Sequence, residues 1–96
     1  MSATQSGLQK EVIALYRRAL RMVRTKPETT RPKFTTFVRY SFKTQAAAIS
    51  PRQVSAIEHL LRKGKRQVEM YEDPKVRDLF VSNEMREWDA RDRRRQ

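Results

Sequence analysis

The chain has 96 residues, 22 Lys and Arg against 11 Asp and Glu, a formal net charge of +11, and no cysteine. This length supplies one small domain at most, and the lack of cysteine excludes disulfides and thiolate metal sites. His59 is the only histidine and no run approaches the roughly 20 apolar residues of a membrane span, so we expect neither a catalytic or metal constellation nor a transmembrane helix.

The first predicted element is a basic amphipathic helix. The segment SGLQ at residues 6–9 matches a capping box, which predicts a helix beginning near Gly7 or Leu8. Pro27 predicts that it ends near Lys26. Its apolar positions form one stripe, which consists of Leu8, Val12, Leu15, Ala19, Met22 and Val23. The opposite face carries Lys10, Arg17, Arg18, Arg21 and Arg24.

The basic face of this first helix has three interpretations. It is a solvated charged face, an uncleaved organellar import signal, or a surface that binds a polyanion or an acidic protein. Glu11 is the only acidic residue among the first 27, so few counter-charges are available. This shortage weakens the first interpretation.

A second amphipathic helix is predicted from about Pro32. Its apolar positions recur with i, i+3, i+4, i+7, i+8 spacing at Phe34, Phe37, Val38, Ser41 and Phe42. The segment TQAAAIS loses this pattern and leads to the next boundary. Ser50-Pro51-Arg52-Gln53 then forms a second capping box with proline at the first helical position.

The third predicted helix runs from about Pro51 to Tyr71. Its seam consists of Val54, Ile57, Leu61, Gly64, Val68 and Tyr71. Gly64 costs about 1 kcal/mol relative to alanine inside a helix. This cost predicts either close approach of another backbone or ligand at Gly64, or a helix kink.

The chain beyond Asp73-Pro74 is predicted to be a charged extension. Val76, Leu79 and Phe80 suggest a short fourth segment that folds back on the bundle, and Met85 and Trp88 are the only later anchors. This end is predicted to be a solvated helix or an arm that orders on a partner. The full excess of +11 lies in residues 1–71, and residues 72–96 balance to zero.

These elements predict an all-α fold. Three amphipathic helices with short connectors favour an antiparallel up-down-up three-helix bundle over residues 1–72, followed by the C-terminal extension at 73–96. Such a bundle specifies no function by itself.

A second basic cluster lies on the third helix. Arg62, Lys63, Lys65 and Arg66 surround Gly64, and four cations in about one turn repel each other unless an acidic group docks there. No helix-turn-helix spacing, zinc finger or aromatic sheet motif accompanies them. The residues therefore favour an acidic protein partner, with a basic nucleic-acid-binding helical module as the alternative.

Leu15-Tyr16-Arg17 lies near the start of this basic helical chain, within LQKEVIALYRRALR. Lys26-Pro27 follows that helix, Phe42 lies in the second helix, and IEHLLRKGKRQVE lies in the third. Together, over residues 8–70, this pattern resembles the LYR-motif family of mitochondrial accessory and assembly proteins, and within it the assembly factors of respiratory complex II.

This resemblance implies a non-enzymatic chaperone of the mitochondrial matrix, without a cofactor of its own. Its client would be the iron-sulfur subunit of succinate dehydrogenase, with cluster insertion or protection as the outcome. The implied contacts are Leu15, Tyr16 and Arg17 for the co-chaperone of cluster transfer, Arg62 to Arg66 for the client, and Phe42 for acyl carrier protein. A second assembly factor is a further implied partner.

Other interpretations of these residues remain open. The family also contains adaptors that bind acylated acyl carrier protein within different complexes. Leu15, Tyr16 and Phe42 also fit the apolar periodicity of a helical core. Arg17 points away from that stripe and is the better contact candidate. Gly64 would permit close docking at the basic cluster.

Overall fold

The structure, a computed structural model, describes residues 2–95, and their side chains from residue 7 onward. Four helices follow one another: α1 (Ser2–Arg24), α2 (Arg31–Ala48), α3 (Val54–Glu72) and α4 (Asn83–Arg94). No strand is present within residues 2–95. The predicted all-α fold is confirmed.

Helix α1 is the centre of the bundle, because α2 and α3 both pack against it. The Tyr16 ring contacts the Phe42 ring, and Lys26, beyond the end of α1, lies over Phe34 near the start of α2. These contacts set α2 antiparallel to α1. Leu15 meets Gly64 and Arg18 meets Glu72, so α3 runs parallel to α1 in the predicted up-down-up order.

The predicted start of α1 is wrong. Helix α1 begins at Ser2, ahead of the capping box at residues 6–9, and the Ser6 side chain lies outside the described side chains. Helix α2 continues through the alanines to Ala48, because alanine has the highest helix propensity and needs no packing partner.

The second capping box forms ahead of the regular helix. Gln53 Oε1 accepts a hydrogen bond from the Ser50 backbone N–H at 2.9 Å, and Ser50 Oγ accepts one from the Arg52 N–H at 3.3 Å. Pro51 lies in this turn, and α3 itself begins at Val54. The predicted helix start at Pro51 is therefore three residues early.

The hydrophobic core follows the predicted stripes. Its buried members are Leu8, Leu15, Ala19, Met22 and Val23 of α1, Phe34 and Val38 of α2, and Leu61 and Val68 of α3. Val12, Phe37, Phe42, Val54, Ile57 and Tyr71 are partly buried against them. Phe34 is the largest fully buried side chain in the described part of the chain.

Lys26 is a buried cation that ties three elements together. Its Nζ donates to the carbonyl oxygens of Asp73 at 3.2 Å and Val76 at 2.6 Å, and it lies 5.2 Å from the centroid of the Phe34 ring. Burial lowers the pKa of Lys26, and Asp73 opposes that shift. The ammonium group thus joins the end of α1 to the chain that leaves α3.

Arg18 forms an ion pair that fixes the end of α3 against α1. Its Nε and Nη2 each donate to the Glu72 carboxylate at 2.8 Å, a bidentate arrangement. The expectation that the α1 arginines face solvent as a group is therefore wrong at Arg18, although Arg17, Arg21 and Arg24 are exposed.

We expect Arg18→Gln to lower the free energy of unfolding by about 0.2–1 kcal/mol at pH 7, because both side chains remain more than a third exposed and are screened. The hydrogen bond from Arg18 lowers the pKa of Glu72 below its ordinary 4.5. The ion pair therefore stabilises the fold above about pH 4.5. This stabilisation is lost as the pH falls through the lower pKa that Glu72 has in the folded protein. Urea unfolding at pH 7 and pH 3 measures this difference. An equal difference at both pH values would contradict the assignment.

The segment between α3 and α4 is an extended connector. It folds back on the bundle as predicted, with Val76 and Leu79 partly buried against the core. Phe80 is 84% exposed, whereas Val81 is buried. Ser82 caps α4 by accepting the Met85 N–H at 3.1 Å. The C-terminal segment is thus a helix packed on α2 of the same chain, and Trp88 is one of its anchors, at 5.6 Å from Tyr40 between ring centroids.

Candidate partner-binding surfaces

The Leu-Tyr-Arg triplet distributes its side chains between the core and the surface. Leu15 is 5% exposed and packs in the core. The half-buried Tyr16 ring meets Phe42 edge to face, with centroids 5.2 Å apart. Arg17 is exposed. Arg17 is therefore the member of the triplet that is available to a partner, while Leu15 and Tyr16 hold the helix that presents it.

An apolar groove opens between α2 and α3. Within the described residues both helices pack on α1 and meet each other at one end, where Phe34 and Phe37 contact the Tyr71 ring. Beyond that contact they leave a space of about 390 Å³ with α1 as its floor. Its walls include Phe37, Phe42, Ala46 and Ile49 of α2, and Ile57, Leu60, Gly64 and Tyr71 of α3. The groove has the size and polarity to take an apolar chain.

Sequence reasoning missed the part of this groove formed by the end of α2. Gln45, Ala46 and Ile49 line it, but TQAAAIS has no amphipathic pattern that would assign them to a buried face. The high helix propensity of the three alanines was the available signal. A helix continued through them places Ile49 in register with Phe42, two turns earlier.

The basic cluster lies on the exposed side of α3. Arg62, Lys63, Lys65 and Arg66 are all exposed, and within the described side chains none of the four forms an ion pair. Exposed guanidinium and ammonium groups suit carboxylates of a partner through charge-assisted hydrogen bonds. The four cations form an exposed basic surface on α3.

Gly64 is turned inward, toward α1, and not toward a partner. A Cβ added there would lie 3.0 Å from Leu15 Cδ2. The close contact at Gly64 is therefore made by a side chain of α1, and not by the other backbone or ligand that the sequence predicted. Because glycine has no side chain, α3 packs closely against Leu15 of the Leu-Tyr-Arg triplet. The cations of the basic cluster are the sequence neighbours of Gly64 on α3.

We expect Gly64→Val to destabilise the fold by about 1–3 kcal/mol, because the added branches must displace Leu15 or separate α1 from α3. Gly64→Ala is the matched control, since a gain in helix propensity of about 1 kcal/mol offsets a small movement of Leu15 Cδ2. Gly64→Val should destabilise the fold less when Leu15 is replaced by alanine. Urea unfolding of Gly64→Val, Leu15→Ala and the double variant, each compared with the unmodified protein, gives the coupling energy. An equal loss of stability from Gly64→Val with and without Leu15 would contradict the contact between these two residues.

The described part of the chain has neither a metal-binding cluster nor a membrane-spanning helix. Residues 2–95 contain no group of three or more His, Cys, Asp or Glu side chains placed to hold a metal ion. None of the described helices combines the length and apolar character that crossing a membrane requires.

The fold and these surfaces define a small, basic helical bundle with an embedded Leu-Tyr-Arg triplet. The family model described as "Complex 1 protein (LYR family)" matches residues 10–70. The chain belongs to this family.

Curated relatives extend the similarity over most of the chain. Succinate dehydrogenase assembly factor 1, mitochondrial, of Schizosaccharomyces pombe is 42% identical over 77 residues, covering 80% of this chain and 96% of the relative. Assembly factor 1A of Dictyostelium discoideum is 43% identical, covering 79% and 85%. Assembly factor 1 of Saccharomyces cerevisiae is 32% identical, covering 77% and 92%. A search of solved structures found no match.

Proposed function

We propose that this protein is a non-enzymatic assembly factor for succinate dehydrogenase in the mitochondrial matrix, and that it binds the iron-sulfur subunit of that complex. The names of its relatives, which it matches over nearly their whole length, support the complex and the organelle. The exposed, unpaired cluster Arg62 to Arg66 is the observation that carries the subunit contact.

Each surface has a role in this proposal. The basic cluster on α3 steers and holds an acidic face of the client. Arg17, exposed beside the buried Leu15, engages the co-chaperone of cluster transfer. The chain has no cysteine, and iron-sulfur clusters are normally held by thiolates. The protein therefore promotes insertion or protects the cluster by shielding the client, with the cluster as cargo.

Co-purification from matrix extract tests this function. Tagged full-length protein should retain the iron-sulfur subunit at low salt, and Arg17→Ala should lose the co-chaperone while retaining the subunit. Absence of the subunit at low salt would contradict the proposal. Equal retention of random RNA at physiological salt would favour the nucleic-acid-binding alternative, whose affinity falls steeply as salt rises.

A second candidate function is binding of acylated acyl carrier protein. The apolar groove of about 390 Å³ favours it, because Phe42 and Ala46 on its wall offer an apolar surface to an acyl chain. Native mass spectrometry would detect the acylated carrier as a discrete added mass. Ala46→Phe should fill the groove and abolish that mass, whereas Ala47→Phe, at an exposed position outside the groove lining, should retain it.

A further inference from the structure

Helix α4 is attached to the bundle mainly through polar contacts. Among the described residues, α4 contributes nothing to the buried hydrophobic cluster. Its buried residue is a carboxylate, Asp89, at 8% exposure. This contrasts with α2 and α3, which bury Phe34, Val38, Leu61 and Val68 against α1.

Asp89 is held by donors from both helices. Arg39 Nε donates to Asp89 Oδ1 at 3.0 Å, and Thr36 Oγ1 approaches Oδ2 at 3.3 Å. From α4 itself, Arg93 Nε donates to Oδ2 at 2.9 Å. Burial raises the pKa of Asp89, but the hydrogen bonds from Arg93 and Arg39 outweigh it, so the net shift is downward. The carboxylate remains ionised in this setting.

Asp92 repeats the arrangement one turn later. It pairs with Arg39 Nη2 and accepts from Lys43 Nζ at 3.0 Å. The hydrogen bond from Lys43 is the main cause that lowers the pKa of Asp92. The two aspartates of α4 therefore pair with Arg39 and Lys43 of α2. The Arg39 guanidinium also lies 5.9 Å from the Trp88 ring centroid.

Arg39 is largely buried between α2 and α4. Burial lowers the pKa of Arg39, but Asp89 and Asp92 outweigh it and raise the pKa above its ordinary value. Docking of α4 thus immobilises a cation of α2 three residues before Phe42, whose ring meets Tyr16 of the triplet.

The connector supplies a fixed point from which α4 can swing. Lys26 Nζ binds the Val76 carbonyl and Thr30 Oγ1 donates to the Arg77 carbonyl at 2.7 Å. Val81 is buried immediately before α4 begins. Loss of the Asp89 and Asp92 contacts would therefore free α4 without removing the connector or any buried residue of the three-helix core.

We propose that α4 is an ionic latch, which docks reversibly on the folded three-helix core and whose release uncovers a basic face of α2 formed by Arg39, Tyr40 and Lys43. Lys43 and Arg93 are 40% and 58% exposed, so salt weakens these outer pairs. The Arg39–Asp89 pair is 14% and 12% exposed and is screened much less. Undocking is then a local opening that precedes unfolding of the core. The uncovered face would add two cations on the segment of α2 that carries Phe42.

Trp88 is the only tryptophan of the chain, so its emission reports α4 docking directly. In the full-length protein at low salt, Asp89→Asn with Asp92→Asn should shift Trp88 emission to longer wavelength, while far-UV circular dichroism keeps the α1–α3 helices. Raising salt to about 1 M without substitutions should give a smaller shift, because the Arg39–Asp89 pair is largely buried. Amide exchange in residues 83–95 should become about tenfold faster in the double variant, with exchange in α1 unchanged.

The matched control is Glu58→Gln with Glu87→Gln, which makes the same change in net charge at two exposed positions. Its Trp88 emission and exchange should stay those of the unmodified protein. The latch is overturned if the Asp89 and Asp92 substitutions leave α4 exchange unchanged. It is equally overturned if exchange accelerates to the same extent in α1 and α4, since α4 would then belong to one cooperative unit. Both readouts use the protein alone and are independent of any client.

Discussion

Phe34→Ala should lower the free energy of unfolding by about 3–5 kcal/mol, the usual cost of truncating a fully buried phenylalanine. Phe34 is 0% exposed, meets the Tyr71 ring edge to face at 6.0 Å and lies beneath the Lys26 ammonium group. Its removal leaves a cavity where α1, α2 and α3 meet. Because domains of this kind are stable by only about 5–15 kcal/mol, much of the total would be lost.

Phe80→Ala is the matched control, since it makes the same chemical change at a side chain that is 84% exposed. It should change the free energy of unfolding by no more than about 0.5 kcal/mol. Urea unfolding followed by far-UV circular dichroism measures both variants. Equal costs for the two substitutions would place Phe34 outside the core and contradict the packing of α2.

Replacing the α3 cluster by glutamine should weaken binding of the iron-sulfur subunit by about tenfold or more at physiological salt. The variant combines Arg62→Gln, Lys63→Gln, Lys65→Gln and Arg66→Gln. All four side chains are exposed and none forms an ion pair within the described side chains, so the fold should keep its stability. Binding by titration calorimetry or surface plasmon resonance, with thermal unfolding alongside, separates the two effects.

A dispersed set of four exposed cations provides the control for net charge: Lys10→Gln, Arg52→Gln, Lys75→Gln and Arg86→Gln. This variant loses the same charge but keeps the α3 cluster. It should bind the iron-sulfur subunit within about twofold of the unmodified protein, because scattered surface charges act weakly at physiological ionic strength. If both variants weaken binding equally, the attraction depends on total charge and the α3 cluster is not the contact.

The buried faces of the helices were predicted better than the helix starts. The apolar stripes predicted for α1 and α2 contain the residues that are buried, including Ala19 and Phe34. The starts were less accurate, since α1 begins at Ser2 and α3 at Val54. A capping box marks a favourable helix start without fixing the first residue of the regular helix.

The binding surfaces were predictable to different degrees. The Leu-Tyr-Arg triplet and the cluster Arg62 to Arg66 are contiguous in sequence and could be located before folding, although the roles assigned to them remain predictions. The apolar groove could not be located, because it exists only where the backbones of α2 and α3, both packed on α1, lie apart from each other. The inward position of Gly64, against Leu15, likewise required the packing of α3 on α1.

The sequence by itself determined an all-α chain, the faces of its three long helices, its basic character and its family pattern, because these depend on composition and on spacings within a few turns. Only the tertiary structure decided how charges about 50 residues apart pair, as Arg18 does with Glu72 and Arg39 with Asp89. Such pairs depend on the register and direction of packed helices. A neutral, charge-dense extension became a docked α4 because its two aspartates reach the cations of α2, a match that no local pattern encodes.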